Sequence, residues 1–303
     1  MTWVFLSLAA VGFQTARNGV ARSLSGRISP LLNSWSRFAF TLPLAGLLAG
    51  VLVLREGAPG FSAAFWLACS GAAVSQLLAN VALVSAFRRA NFAQSIVFHK
   101  LEVLITAVVG VLFFAERPSP LGWAGMVLST AGVIAMSFAR GAAGPLWRRA
   151  LPVDAGSLLA MGAAVGLVVA SFLAKEAVQA FAEANPEATG GRFEAVAHAV
   201  FHVAWIEVAI LTAAVALVRP AEFRLVPVHW RRMSWIGATG FAASIAWFWA
   251  FSVGLVAYVR AIGQIESVVA VVIALRVFGE REAKRQIPGT ALVVAGLALV
   301  LLG

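Results

Sequence analysis

The sequence predicts an all-α membrane protein with ten spanning helices, arranged as two inverted five-helix repeats. Three observations support this fold class. The chain is 61% hydrophobic and 12% charged, with a mean hydropathy of +0.90, whereas soluble domains are roughly half apolar and a quarter charged. Ten segments are apolar enough to span a bilayer. One stretch, an apolar helix with a glutamate followed by a Glu-Arg turn, is present twice.

The ten predicted helices follow from segment length. A spanning helix needs ~20 mostly apolar residues. The segments that qualify are residues 2–21, 31–54, 62–86, 91–114, 119–139, 156–179, 195–218, 233–253, 256–278 and 286–303. The connections between them carry Pro, Gly and charged residues. The first segment lacks the basic start of a signal peptide, so we interpret it as a spanning helix.

The repeat relates residues 99–132 to residues 263–296 without a gap, at an offset of 164 residues. It places Glu102 on Glu266, and each copy ends in a helix with a stripe of small residues. These small residues predict close helix packing.

The repeat divides the chain into two halves, residues 1–140 and 156–303, joined by a linker at 141–155. Five helices in each half is an odd number, so the second half enters the membrane from the opposite side. Inverted repeats of this kind are typical of secondary transporters.

The duplicated motif, in which Glu102 is followed fourteen residues later by Glu116-Arg117, resembles the drug/metabolite transporter superfamily, EamA type. The resemblance covers essentially the whole chain. It implies that helices one to four and six to nine surround a central cavity, with helices five and ten at the periphery. A departure is His99-Lys100, where family members more often have apolar or small residues.

The resemblance and the repeat together predict a secondary transporter in a bacterial-type inner membrane. Its partners are the lipid bilayer and a small-molecule substrate, with proton coupling as one option, and its oligomeric state is left open. The preferred activity is export of a polar or amphipathic metabolite by alternating access. The alternatives are a membrane-embedded enzyme and a passive channel or scaffold.

Composition argues against other classes of function. The net charge of +10 is spread over short loops, with no basic face, so nucleic-acid binding is not expected. Cys69 is the only cysteine and the chain has four histidines, so we predict no catalytic residue, metal ligand or cofactor. Odd-numbered connections hold fourteen Lys and Arg residues and even-numbered ones hold three. The positive-inside rule therefore predicts both termini outside, whereas the family resemblance implies termini inside.

Polar and aromatic side chains inside the predicted helices are the candidate site residues. A charge at the bilayer centre costs ~2.5–3.5 kcal/mol on insertion scales, so such residues usually face a cavity or a partner. The predicted substrate-cavity residues are Arg37, Gln76, Asn80, His99, Lys100, Glu102, Trp205, Glu207, Trp247, Arg260, Gln264 and Glu266. If some of the acids among them are paired or protonated, the cationic groups outnumber the negative charges that remain. The set therefore predicts a carboxylate-bearing or zwitterionic, amino-acid-like substrate.

Each group of candidates also has a structural interpretation. Glu102 and Glu266 either relay a proton or cation, or make a structural hydrogen bond. Arg37 and Glu207 occupy related positions of the two repeats and form a gate or a structural tie. Arg17 lies near enough to the end of the first predicted helix to extend towards water, so we leave it out of the site.

Three side chains, one in the loop just before the seventh predicted helix and two within it, share one helical face. Glu194, His198 and His202 are spaced four residues apart. This spacing is compatible with a metal site or a proton relay. We favour an aqueous vestibule or a packing face, because there is no second histidine-rich cluster.

Overall fold

The computed structural model describes residues 1–24, 26–89, 98–140, 155–188, 190–276 and 281–303, and its secondary-structure elements are all helices. The α-helices are α1 (Thr2–Leu24), α2 (Pro30–Glu56), α3 (Ala63–Arg89), α4 (Glu102–Phe113), α5 (Pro120–Arg140), α6 (Ala155–Ala184), α7 (Gly191–Val218), α8 (Val226–Val253), α9 (Val256–Gly263), α10 (Ile265–Arg276) and α11 (Ile287–Leu302). Two 3₁₀ helices, Pro220–Leu225 and Arg281–Gln286, precede α8 and α11.

The described residues contain eight helical segments that are long and apolar enough to cross a membrane. The protein is therefore a multi-pass integral membrane protein, and the all-helical fold class is confirmed. The count of ten spanning helices stays a prediction. Parts of the fourth and ninth predicted helices, residues 91–97 and 277–278, and most of the predicted linker, residues 141–154, lie outside the described residues.

The ninth predicted helix is divided into α9 and α10, which meet at Gln264. There the backbone N–H of Gln264 donates to Ala261 and that of Ser267 donates to Gln264, at 2.9 and 3.0 Å. This three-residue spacing tightens the turn, as in a 3₁₀ helix. The start of α10 corresponds, in the repeat, to the start of α4. Glu266 lies in the first turn of α10, and its counterpart Glu102 lies in the first turn of α4.

Helix α8 begins at Val226, seven residues before its predicted start. Pro227 lies in the first turn, where a proline is tolerated because its missing N–H has no partner to lose. Arg231 and Arg232, predicted to lie in a connection, are therefore helical. The preceding 3₁₀ helix is tied to α2, because the Ser29 hydroxyl donates to the Glu222 carboxylate.

The chain forms two compact units, and each unit combines segments from both halves of the sequence. Unit 1 comprises residues 1–74 and 170–253, and unit 2 comprises residues 75–169 and 254–303.

Within unit 1, α1 packs on α8, and α2 packs on both α7 and α8. Its buried core includes Leu24, Leu32, Val215, Met233 and Ile236.

Within unit 2, α5 and α11 pack closely through opposed glycines. A Cβ added at Gly125 would lie 2.5 Å from the Gly296 carbonyl oxygen, and one added at Gly132 would lie 2.7 Å from the Gly289 carbonyl oxygen. Only residues without a side chain allow the backbones to come this near. The predicted small-residue packing is thus present in both copies of the repeat.

Candidate functional site

Each unit contains a cluster of charged side chains inside its helices. The unit 1 charge cluster consists of Arg17, Arg37 and Glu207. The unit 2 charge cluster consists of His99, Lys100, Glu102 and Arg260. All but Arg17 were predicted as site residues from the sequence.

The unit 1 charge cluster joins α2, α7 and α8. Glu207 of α7 is 1% exposed, and its carboxylate interacts electrostatically with Arg37 of α2. Gly240 of α8 leaves space beside them, since a Cβ added there would lie 3.7 Å from Arg37 Cγ and 3.7 Å from Arg17 Cδ. The structure therefore brings the two predicted residues of opposite charge together.

The expectation that Arg17 extends to water is wrong. Its side chain is 8% exposed, and its Nε and Nη2 donate to Asn18 Oδ1 at 3.2 and 2.9 Å. Helix α1 continues to Leu24, past its predicted end, so Arg17 lies about two turns before the terminus. In the sequence, the neighbouring Asn18 could have indicated that Arg17 has a hydrogen-bond acceptor beside it and need not reach water.

The two candidate tryptophans of unit 1 have different surroundings. Trp247 Nε1 donates to Gln14 Oε1 at 3.2 Å, and its ring stacks on Phe251 with centroids 5.6 Å apart. Trp205 is 41% exposed on α7 and contributes less to the packing of the unit. Trp247 of α8 thus contacts Gln14 of α1, three residues before Arg17.

The unit 2 charge cluster surrounds Glu102, which is 9% exposed at the start of α4. His99 Nε2 lies 3.9 Å from Glu102 Oε2, and the charges of Lys100 and Arg260 are close enough to interact with this carboxylate. Arg260 Nη2 also donates to the Leu167 carbonyl oxygen at 3.1 Å. Positive groups from two helices thus converge on one acid.

Arg260 and Gln264 lie four residues apart in the sequence, but they bond to different neighbours. Gln264 is 1% exposed and its Nε2 donates to Thr130 Oγ1 of α5 at 3.3 Å. Asn80 donates to the Gln76 carbonyl oxygen one turn earlier in α3, at 2.8 Å. Glu266 is half-buried in the first turn of α10.

Glu116 has a role that the sequence reasoning missed. Its side chain is 4% exposed, and the backbone N–H of Val256 donates to both carboxylate oxygens, at 3.1 and 3.0 Å. The acid thereby caps the N-terminus of α9, where a negative charge is favourable. Ala115, with φ of 52°, makes the turn that precedes it. Because α9 carries Arg260, Glu116 helps to position the unit 2 charge cluster.

Arginine presents planar donors that match a carboxylate or phosphate, and a buried site strengthens such charge-assisted bonds. In unit 2, Lys100 and Arg260 both interact with the buried Glu102 carboxylate. In unit 1, Arg37 interacts with the buried Glu207 carboxylate. No group of three or more His, Cys, Asp or Glu residues within the described ranges could hold a metal ion.

Residues 1–138 match the family model of the EamA-like transporter family. The predicted resemblance is confirmed over these residues. No curated protein matches the chain. A solved crystal structure, 18% identical, superimposes with a TM-score of 0.69 over 100% of this chain and 98% of its own. At this identity the likeness shows the fold alone.

Proposed function

We propose that this chain, an EamA-like transporter over residues 1–138, is a secondary transporter that exports a small carboxylate-bearing or zwitterionic metabolite by alternating access. The observation that carries the proposal is the surplus of cationic side chains around the single buried acid of the unit 2 charge cluster, where Lys100 and Arg260 both act on Glu102. A carboxylate on the substrate would balance this surplus. A lipophilic cation would meet repulsion from Arg37 in unit 1 and from Arg260 in unit 2.

We further propose that the second half of the chain is an inverted copy of the first, giving ten spanning helices. The opposed glycines of α5 and α11 support this arrangement. At the repeat offset, Gly125 corresponds to Gly289 and Gly132 to Gly296, and the contacts join Gly125 to Gly296 and Gly132 to Gly289. Such reciprocal contacts are expected of two equivalent surfaces related by a two-fold axis.

Counterflow in sealed proteoliposomes tests the proposed activity. Vesicles loaded with an unlabelled amino acid or short carboxylate should accumulate the same labelled compound, across a panel that includes tetraphenylphosphonium as a lipophilic cation. A passive channel would give no counterflow, and a membrane enzyme would convert the compound. Accumulation of the lipophilic cation alone would contradict the anion-binding proposal while leaving the transporter assignment intact.

The site is tested with variants of the unit 2 charge cluster. Arg260→Ala and Lys100→Ala should reduce counterflow about tenfold or more, since a charge-assisted hydrogen bond contributes roughly 1.5–3 kcal/mol. Arg260→Lys should retain part of the activity, because it keeps the charge but not the planar donors. The matched control is Arg285→Ala, an exposed cation outside the cluster. Normal counterflow in both alanine variants would show that the substrate binds elsewhere.

The proposed orientation, with both termini outside a bacterial-type inner membrane, rests on the distribution of basic residues between alternate connections. A cysteine introduced at Gly303 should react with an impermeant reagent in intact cells. Protection of that cysteine until the cells are opened would reverse the orientation.

A further inference from the structure

A column of three titratable side chains lies on α7, N-terminal to Glu207. Glu194, His198 and His202 occupy successive turns and are 2%, 2% and 7% exposed, respectively. The sequence alone favoured a vestibule or a packing face for them. The structure shows that all three belong to the interior of unit 1.

Aromatic rings surround the two histidines. Phe181 of α6 stacks on His198, with centroids 4.9 Å apart and an interplanar angle of 14°. Phe61, just before α3, lies 4.7 Å from His202, and Trp66 of α3 meets the same imidazole edge-on at 4.9 Å. These rings present no charge that could balance an imidazolium.

The hydrogen bonding of the column is incomplete. The His202 Nδ1–H donates to the His198 carbonyl oxygen at 2.8 Å, which leaves Nε2 as the basic nitrogen of that ring. Neither ring nitrogen of His198 has a hydrogen-bond partner within the described residues, nor does Glu194 Oε2. Buried polar atoms are nearly always paired, so three unpaired atoms in one column indicate a ligand for them.

The charged groups around the column are few. From α2, the Glu56 carboxylate interacts with Glu194. From α7 itself, Arg192 is directed to α8, where its Nη1 donates to the Ser252 carbonyl oxygen at 3.0 Å. The described parts of α3 and α6 that contact the histidines do so with aromatic rings. The Glu56 carboxylate thus acts on Glu194, at the start of the column, and the two histidines are enclosed by aromatic rings.

A backbone contact closes the column on the side of the loops. The Asn185 side chain pairs with the peptide groups of Gly60, accepting from its N–H at 2.7 Å and donating to its carbonyl oxygen at 2.9 Å. This two-bond contact fixes the loop between α2 and α3, and hence places Phe61 over the histidines. We call it the Gly60–Asn185 latch.

We propose that Glu194, His198 and His202 form a proton-binding site whose occupancy opens the Gly60–Asn185 latch. The inference goes beyond the proposed substrate site and does not depend on it.

The closed site and the bound proton exclude one another. An imidazolium sealed among phenylalanine rings would be an unpaired buried charge, which is too costly to persist. Water must therefore reach the ring when the proton binds, and Phe61, which contacts both imidazoles from the loop that the latch holds, is the ring that opening the latch would release. A proton, rather than a metal ion, is the ligand because no group of described residues could hold a metal. Histidine is the side chain that titrates in the physiological range.

Histidine NMR on the full chain in lipid nanodiscs tests this directly. Protein with ¹⁵N-labelled histidine rings is titrated from about pH 8 to about pH 5. We expect His198 or His202 to become protonated reversibly within that range. The emission of Trp66, identified by difference from Trp66→Phe, should change with the same midpoint as its contact to His202 is lost.

Variants separate a proton site from a structural cluster. Phenylalanine in place of the ring that titrates, His198→Phe or His202→Phe, should abolish the transition, whereas His229→Phe, on α8, should leave it unchanged. Asn185→Ala should move the midpoint to higher pH by about one unit, because weakening the closed state favours the protonated one. The proposal is overturned if both rings stay neutral across the range, or if they titrate only together with loss of helical circular dichroism. If His198→Phe does not fold, the wild-type and Asn185→Ala titrations still decide.

Discussion

Removing the Glu116 carboxylate should destabilise unit 2 and displace Arg260. In Glu116→Ala, the buried N–H of Val256 loses an acceptor that lies at 3.0 and 3.1 Å. A hydrogen bond to a charged group contributes about 1.5–3 kcal/mol, and a charge at a helix N-terminus adds about 0.3–1 kcal/mol. The expected loss is therefore about 2–4 kcal/mol. Glu116→Gln keeps an acceptor but not the charge, so it should lose about half as much.

Unfolding in detergent mixtures, followed by circular dichroism, measures this loss in the free energy of unfolding. Glu187→Ala is the matched control, because Glu187 is an exposed acid beyond the end of α6 and surface substitutions usually change stability by less than about 0.5 kcal/mol. Helix α9 has only eight residues, with Arg260 in its last turn. Counterflow should therefore fall along with stability. Glu116→Ala with wild-type stability would refute the capping role.

Three other substitutions test the packing and the charges. Gly125→Ala should lower the free energy of unfolding by about 1–3 kcal/mol, because the added methyl group overpacks against α11. Gly12→Ala is the control, since a Cβ there would have nothing within 4 Å, and equal effects of the two on unfolding would contradict the close contact. Arg37→Ala should cost about 3–5 kcal/mol by removing the cation that interacts with the buried Glu207 carboxylate. Adding Glu207→Gln should recover stability but not counterflow, and recovery of both would exclude an anion-binding role. Ala115→Gly should stabilise the protein by up to about 1 kcal/mol in thermal unfolding. Ala115 has a φ of 52°, a left-handed conformation that glycine adopts without the clash of a Cβ. Destabilisation would show that the turn does not need a left-handed residue.

The sequence predicted the helical class and the charged residues because both follow from local chemistry. A run of ~20 apolar residues has few alternatives to a spanning helix, and a charge within it must find a partner or water. Arg37 and Glu207 were linked through the repeat, without knowledge of which helices pack together. The structure places them in one cluster.

The parts that could not be predicted depend on contacts between distant segments. Glu116 caps a helix that begins 140 residues later, and nothing in the local sequence specifies that partner. The burial of Arg17 depended on where α1 ends, and helix ends are the least certain feature of a sequence-based prediction. The division at Gln264 was missed because the turn keeps helical dihedral angles, φ −67° and ψ −15°, and requires neither Gly nor Pro.

The mixing of the two sequence halves within each unit follows from the proposed inverted repeat. In a two-fold arrangement, helices that pack against their own counterparts must lie beside the axis. Among the helices that the structure describes, three such pairings are present: α2 packs on α7, α4 on α9, and α5 on α11. The first carries Arg37 and Glu207, the second carries Glu102 and Arg260, and the third is the glycine contact. Within its own unit, each charge cluster thus belongs to a pair of helices that are counterparts in the proposed repeat. Inverted-repeat transporters bind their substrates at the interface between the repeats, so these pairs are where the proposed carboxylate should bind.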